Sequence, residues 1–349
     1  MNRDYKIVFV DKILPISEYE KEIIEEFGCT VSQYDAIAPE EIIKVAKDAD
    51  AIMTVGGKFT KETIDGLEKC KVIGRYGVGV DNVDLTAATA KGIVVTYVPV
   101  YCQEEVAMLT LALILACDRK LLIADKTVKA GNWADTVNVI EGARSPRGKV
   151  FGLVGFGAIA RSVVPYIKPF GMKIVAYDPY MNLELCKELG VESVTFEELI
   201  ENADYISLHV PLLPSTVHML GADEFHRMKD TTIVVNTGRG ALIDQKALVK
   251  AIKEGEIAAA GLDVLEFEPP DPEDEIFRLD NVITTGHIGA ATTEALIRLR
   301  QSVARSIVDV LSGKRPKDIA NPDVLEKVKL EECAWERNCR ILKRWRKWF

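Results

Sequence analysis

The chain has 349 residues, long enough for two domains with separate cores. Lys and Arg number 44 against 53 Asp and Glu, a formal charge of −9, which argues against a general nucleic-acid surface and points to a small-molecule partner. The longest apolar stretch, Val106 to Cys117, is too short to cross a bilayer.

Strand-like and helix-like segments alternate from the start. Tyr5 to Val10 is apolar and β-branched, and Ser17-Glu18-Tyr19-Glu20 has the form of a capping box opening a helix. No secretory signal pattern precedes that first strand, so a cytoplasmic location is expected, with no membrane association. Thr30 to Tyr34, Ala51 to Val55, Val72 to Gly74 and Ile93 to Val98 continue the strand series. A long helical stretch, Glu104 to Lys129, follows and is expected to form one side of the second domain. The second series opens at Val150 and runs through Lys173 to Tyr177, Tyr205 to His209, Thr232 to Asn236, Ala258 to Val264 and Val282 to Thr285, six strands in all. Such βαβ alternation implies parallel sheets covered on both faces. The last helix, roughly Thr292 to Leu311, comes after the second sheet is complete and is expected to return to the first domain.

The seven cysteines form no CxxC pair and no metal-ligand cluster with the four histidines, so they read as reduced thiols and no metal is expected. Three of the four tryptophans, Trp335, Trp345 and Trp348, sit in a basic C-terminal tail, 326–349. A basic aromatic segment can bind a membrane surface or partner groove, and the favoured alternative is a frayed terminus.

Lys149 to Ala160 contains a strand that runs into a Gly155-Phe156-Gly157-Ala158-Ile159-Ala160 turn and then a helix. Gly155 permits the tight turn, Gly157 lets backbone approach a pyrophosphate, and Ala160 allows close helix packing. The next strand ends in Asp178, near the spacing of about 20 residues at which an acid receives the ribose hydroxyls. That carboxylate repels a 2′-phosphate, which favours NAD over NADP.

Three polar residues follow strands of the second series, where open α/β sheets place their crevice. They are Arg239 in Asn236-Thr237-Gly238-Arg239-Gly240, Glu268 in Glu266-Phe267-Glu268-Pro269-Pro270, and His287 in Thr285-Gly286-His287-Ile288-Gly289. A planar guanidinium can grip a carboxylate in two bonds. An imidazole can hand a proton to the carbonyl oxygen as hydride reaches carbon, and a carboxylate partner orients the ring.

With these motifs in order, and with Gly77-Val78-Gly79-Val80-Asp81, His209-Val210-Pro211-Leu212 and Gly261-Leu262-Asp263-Val264, the sequence resembles the D-2-hydroxyacid dehydrogenase family over about residues 45–323. Its phrasing is most similar to the branch that holds C-terminal-binding proteins and phosphoglycerate dehydrogenases. The resemblance implies an α/β architecture, with a Rossmann-type NAD-binding domain (101–289) inserted into a discontinuous flavodoxin-like substrate domain (1–100 plus 290–325), hinged near Val100 and Gly289. It implies that Arg239, Glu268 and His287 are catalytic. Ala158 and Ile159 would meet the pyrophosphate, Asp178 the ribose, and Val210 the adenine side. Thr237, Gly238 and Asp263 would surround the nicotinamide, with Arg239, His287, Gly289, Ala290 and Val78 completing the cofactor contacts. Val78 and Gly79 would join Arg239 in binding substrate. The resemblance also implies a homodimer, for which the apolar helix Val106 to Cys117 is a fitting interface; burial inside one subunit is the alternative.

The expected reaction is hydride transfer between NAD(H) and a small D-2-hydroxy or 2-oxo acid, such as glyoxylate or hydroxypyruvate. Thr54-Val55-Gly56-Gly57-Lys58 lacks the arginine with which phosphoglycerate dehydrogenases bind substrate phosphate, Lys58 being the residue that could substitute for it, and Glu268 stands where formate dehydrogenases carry glutamine. Two alternatives remain, D-3-phosphoglycerate dehydrogenase and an NADH-responsive binding protein of the C-terminal-binding type. His209 reads as shaping the adenine side, and His218 and His226 as surface or capping residues.

Overall fold

Short β-branched runs separated by capped helices build two parallel sheets in the computed structural model, which describes residues 5–332. The chain divides into two units, one ending at Tyr101 and resuming at Thr292, the other Cys102–Ala291. The expected tail over 326–349 lies outside the described residues from 333 onward.

Unit 1 has strands β1 (Lys6–Phe9), β2 (Thr30–Gln33), β3 (Ala51–Thr54), β4 (Val72–Arg75) and β5 (Val94–Thr96). Helices α1 (Glu18–Glu26), α2 (Pro39–Ala46), α3 (Lys61–Gly66) and α4 (Leu85–Lys91) connect them. The order β2-β1-β3-β4-β5, parallel throughout, is the flavodoxin arrangement. Ile52, Val72, Ile73 and Val95 are fully buried, as expected of strands covered on both faces. The helices start where side chains satisfy their first N–H groups: Glu20 Oε2 accepts the Ser17 N–H at 3.1 Å, and Asp84 Oδ1 accepts the Ala87 N–H at 2.8 Å.

Unit 2 opens with α5 (Gln103–Asp118), α6 (Leu121–Lys129) and α7 (Thr136–Val139). The single helical stretch expected over Glu104 to Lys129 is therefore two helices. At the end of α5, buried Asp118 accepts the Tyr205 hydroxyl at 3.0 Å, and Lys120 adopts a left-handed φ of 48° that turns the chain. Val106, Ala107, Leu113, Ile114 and Cys117 are buried as α5 packs against its own sheet, so its apolar stretch fills the core of unit 2. Burial of each leucine or isoleucine stabilises by about 1.5–3 kcal/mol.

Seven strands follow rather than six: β6 (Val150–Val154), β7 (Lys173–Tyr177), β8 (Glu192–Ser193), β9 (Tyr205–Leu208), β10 (Ile233–Asn236), β11 (Ala259–Leu262) and β12 (Val282–Thr284). The extra strand, β8, is two exposed polar residues at the sheet edge, with no apolar pattern to announce it. Helices α8 (Ala158–Ile167), α9 (Leu183–Leu189), α10 (Phe196–Asn202), α11 (Ala222–Arg227) and α12 (Gln245–Glu254) lie between the strands. In the order β12-β11-β10-β9-β6-β7-β8 the direction of winding reverses between β6 and β9, and a crevice opens beyond their C-terminal ends.

The final helix, α13 (Thr293–Leu311), belongs to unit 1, where Leu299, Val303 and Ile307 pack into the core beside β4. Its Arg300 Nη1 donates to buried Glu20 of α1 at 2.7 Å, and the Tyr76 hydroxyl donates to the same carboxylate oxygen at 3.0 Å.

Candidate active site

The turn between β6 and α8 lies at that crevice. Gly155 has a φ of +90°, and its N–H reaches Tyr177 O at 2.7 Å. A Cβ on Gly155 would lie 2.8 Å from His209 O and 2.9 Å from Val210 Cγ1, so this turn lies against the segment that follows β9. No side chain caps α8, and a Cβ at Gly157 would have no heavy atom within 4 Å. The first turn of α8, at Ala158 and Ile159, thus has no side-chain cap and carries the positive end of the helix dipole, a donor set that fits a pyrophosphate. Asp178, at the end of β7, is fixed beside them, its Oδ2 accepting the Phe156 N–H and its Oδ1 the Tyr180 N–H, both at 2.8 Å. A half-buried carboxylate here leaves lone pairs for ribose hydroxyls and disfavours a 2′-phosphate. The residues present therefore fit a dinucleotide of the NAD type. His209, its Nε2 2.9 Å from Ser207 Oγ, is pushed by desolvation down to about 4, so the ring is neutral at pH 7.

Beyond β11 and β12, the His287 Nδ1–H donates to Glu268 Oε2 at 2.7 Å, which leaves Nε2 as the ring nitrogen available for proton transfer. His287 holds a left-handed φ of 56°, an unusual conformation that its neighbours enforce. Asp263, 2% exposed, does most of this: its backbone oxygen accepts the His287 N–H at 2.7 Å. Its Oδ1 accepts the Thr285 hydroxyl at 2.6 Å and the Ile288 N–H at 2.8 Å, and its Oδ2 accepts the Gly289 N–H at 2.8 Å. In this arrangement Asp263 clamps the loop that carries His287, with at most one Oδ2 lone pair left for a ligand. Burial draws the Glu268 carboxyl upward, but the hydrogen bond and charge of His287, the Leu265 N–H and the Arg239 charge outweigh it, leaving the group below its ordinary range.

Arg239 follows β10, where Asn236 Nδ2 donates to Arg239 O at 2.8 Å and the Gly238 N–H donates to Asn236 Oδ1 at 3.0 Å. Thr237 Oγ1 lies 3.2 Å from Thr110 Oγ1, tying the turn to α5. Gly240 has no room for a side chain: a Cβ there would fall 1.8 Å from Leu265 O, so the arginine turn and the Glu268 loop are in direct contact. Gly155, Gly157, Ala158, Ile159, Asp178, Val210, Thr237, Gly238, Arg239, Asp263, Glu268, His287, Gly289 and Ala290 all belong to unit 2. Val78 and Gly79 belong to unit 1, in the loop after β4 that Tyr76 anchors through Glu20.

Two groups, one in each unit, carry polar contacts that spacing does not announce. Asp11, fully buried at the end of β1, accepts the Thr54 hydroxyl at 3.1 Å and the N–H groups of Val55 and Gly56 at 2.7 and 3.1 Å. His218 Nε2 lies 2.8 Å from Glu266 Oε1. His226 lies 3.2 Å from Glu256 on the surface.

The chain is similar to known proteins along most of its length. The family model for the NAD binding domain of D-isomer specific 2-hydroxyacid dehydrogenases matches residues 111–289. A glyoxylate reductase from Thermococcus litoralis is 40% identical, over 91% of this chain and 97% of its own length. A D-3-phosphoglycerate dehydrogenase from Methanocaldococcus jannaschii is 43% identical over 93% of this chain, which spans only 61% of that longer protein. The crystal structure of a D-lactate dehydrogenase from Aquifex aeolicus, complexed with NAD and lactic acid, superposes with a TM-score of 0.80 at 29% identity, covering 93% of this chain and 98% of that one. Matched across half its length by the family model and along nearly all of the glyoxylate reductase, the chain belongs to the D-isomer specific 2-hydroxyacid dehydrogenases, oxidoreductases whose cofactor is NAD.

Proposed function

We propose that this chain reduces a small, unphosphorylated 2-oxo acid, of the glyoxylate or hydroxypyruvate kind, to the corresponding 2-hydroxy acid, and that Arg239, Glu268 and His287 carry the reaction. The observation that bears most weight is the 2.7 Å bond from His287 Nδ1 to Glu268 Oε2 on a loop clamped by Asp263. Bound NADH supplies the hydride that becomes the new C–H bond. Arg239 holds the substrate carboxylate and polarises the adjacent carbonyl. His287, oriented by Glu268, delivers its Nε2 proton to the carbonyl oxygen, and in the reverse direction takes it back. Val78 and Gly79 supply backbone N–H groups to the substrate carboxylate from the unit 1 substrate domain. Thr237, Gly238, Val210, Gly289 and Ala290 line the cofactor.

The preference for an unphosphorylated acid has its own support. The Val55 and Gly56 N–H groups already donate to buried Asp11, so the turn after β3 has these two donors engaged rather than turned outward as a phosphate cradle. Turnover of glyoxylate, hydroxypyruvate, pyruvate and phosphohydroxypyruvate with NADH tests this directly: glyoxylate or hydroxypyruvate should be reduced fastest. Tight NADH binding with no turnover of any acid would instead favour a binding protein, and preference for the phosphorylated acid a phosphoglycerate dehydrogenase.

The protein works as a cytoplasmic homodimer in this reading. Leu121, Leu122, Trp133 and Val137 are 53 to 78% exposed on or beside α6 and α7, apolar surface suited to a second copy. Light scattering of the purified protein gives the mass that decides it.

A further inference from the structure

We propose that His218 is a positioning residue for the acid–base pair, joining the loop of Arg239 to the loop of Glu268 through Glu266. The proposal rests on the hydride-transfer reading above. His218 lies outside every motif, in the loop between β9 and α11, yet it holds a left-handed φ of 51°, one of three such non-glycine residues among those described. That conformation lets one residue make two connections. Its backbone N–H donates to Ala241 O at 2.8 Å, in the turn just after Arg239, and its Nε2–H donates to Glu266 Oε1 at 2.8 Å, two residues before Glu268.

Glu266 is the hub on the other side. Its Oε2 accepts the Gln245 N–H at 3.2 Å, and its own N–H donates to Gln245 Oε1 at 3.2 Å. Gln245 Nε2 in turn donates to Asp274 Oδ2 at 2.8 Å. Glu268 depends on the same loop, its Oε1 accepting the Leu265 N–H at 3.2 Å while its Oε2 receives His287. The side-chain polar bonds to residues 265 and 266 thus come from Glu268 itself, from Gln245 and from His218. The geometry of the loop decides where the Glu268 carboxylate meets the ring. A displacement of about 1 Å in a reacting group can cost on the order of 100-fold in rate.

Two substitutions separate the ring contact from the backbone strain. Asparagine tolerates a left-handed backbone but places its amide nitrogen near the position of Nδ1, too short to reach Glu266. Glutamine places its amide nitrogen near the position of Nε2 and can still donate. His218→Asn should lower kcat for 2-oxo acid reduction about ten-fold, within the cost of such a displacement, with KM, NADH affinity and melting temperature little changed. His218→Gln should restore most of kcat even if it melts lower. By proton NMR, the low-field resonance of the His287 Nδ1–H, identified by its loss in His287→Asn, should weaken in His218→Asn and persist in His218→Gln.

An unchanged kcat and resonance in His218→Asn overturns the proposal. So does a parallel fall of kcat, NADH affinity and melting temperature, which marks a general loosening. If the native protein binds NADH but reduces no 2-oxo acid, the functional reading fails on its own, and the NMR signal still decides whether His218 holds Glu268 against His287.

Discussion

Replacing His287 with asparagine keeps a side chain that accepts the left-handed backbone and can still donate to Glu268, but it removes Nε2. Turnover should fall by about 100- to 10,000-fold, the range a general acid contributes. NADH affinity, read by fluorescence titration, should hold, and an equal loss of both would remove the proton-transfer role. Asp178 offers a second test at this scale. Its carboxylate accepts two backbone N–H groups beside the α8 N-terminus, so Asp178→Ala removes the charge that repels a 2′-phosphate. The ratio of kcat/KM for NADPH over NADH should rise by about ten-fold, since one unfavourable charge contact is worth on the order of 1.4 kcal/mol. Residues of this kind are legible in sequence because type and strand-end position together define the chemistry. His218 and Asp11 are not, because their partners lie 48 and 43 to 45 positions away.

At the scale of elements, the alternation of strands and helices was legible because β-branched runs and capping residues are local. Less legible were the break at Lys120 and the edge strand β8: the first depends on Asp118 finding Tyr205, 87 positions on, and the second carries no apolar residue. The loop after β12 also depends on distant contacts. Asp263→Asn leaves one oxygen where Thr285, Ile288 and Gly289 need acceptors, and sets an amide donor against an N–H. The loss should be about 2–4 kcal/mol in denaturant unfolding, from buried groups left unpaired, together with slower turnover. An unaltered midpoint would show that the clamp is dispensable. The end of β9 gives a pH test. His209 titrates at about 4 when folded against 6.5 when free, so the unfolded chain binds more protons below 6.5. Its contribution is complete above about 6.5 and is lost as pH falls toward 4. The melting temperature should drop through that window, and His209→Gln should flatten the slope there.

The whole molecule is built from one contiguous unit and one discontinuous unit, and the two should respond differently to truncation. Unit 2, Cys102–Ala291, contains both of its apolar clusters, the Gly155 turn, Asp178 and the full Arg239, Glu268 and His287 constellation in a single run of chain. Unit 1 requires α13: Leu299, Val303 and Ile307 cover β4, and Arg300 neutralises Glu20, which is fully buried. Removing α13 would expose that apolar face and leave the Glu20 carboxylate buried without its cation, a penalty of about 3–5 kcal/mol in addition to the lost packing. A protein ending at residue 291 should therefore lose cooperative unfolding of unit 1 and aggregate. The fragment 102–291 should unfold in one transition and bind NADH within about ten-fold, or 1.4 kcal/mol, of the full chain, and on the proposed reading, in which Val78 and Gly79 bind substrate, it should reduce no 2-oxo acid. Circular dichroism melts and NADH fluorescence titration measure both outcomes. Turnover by the fragment at the full-length rate would show that unit 1 takes no part in holding substrate.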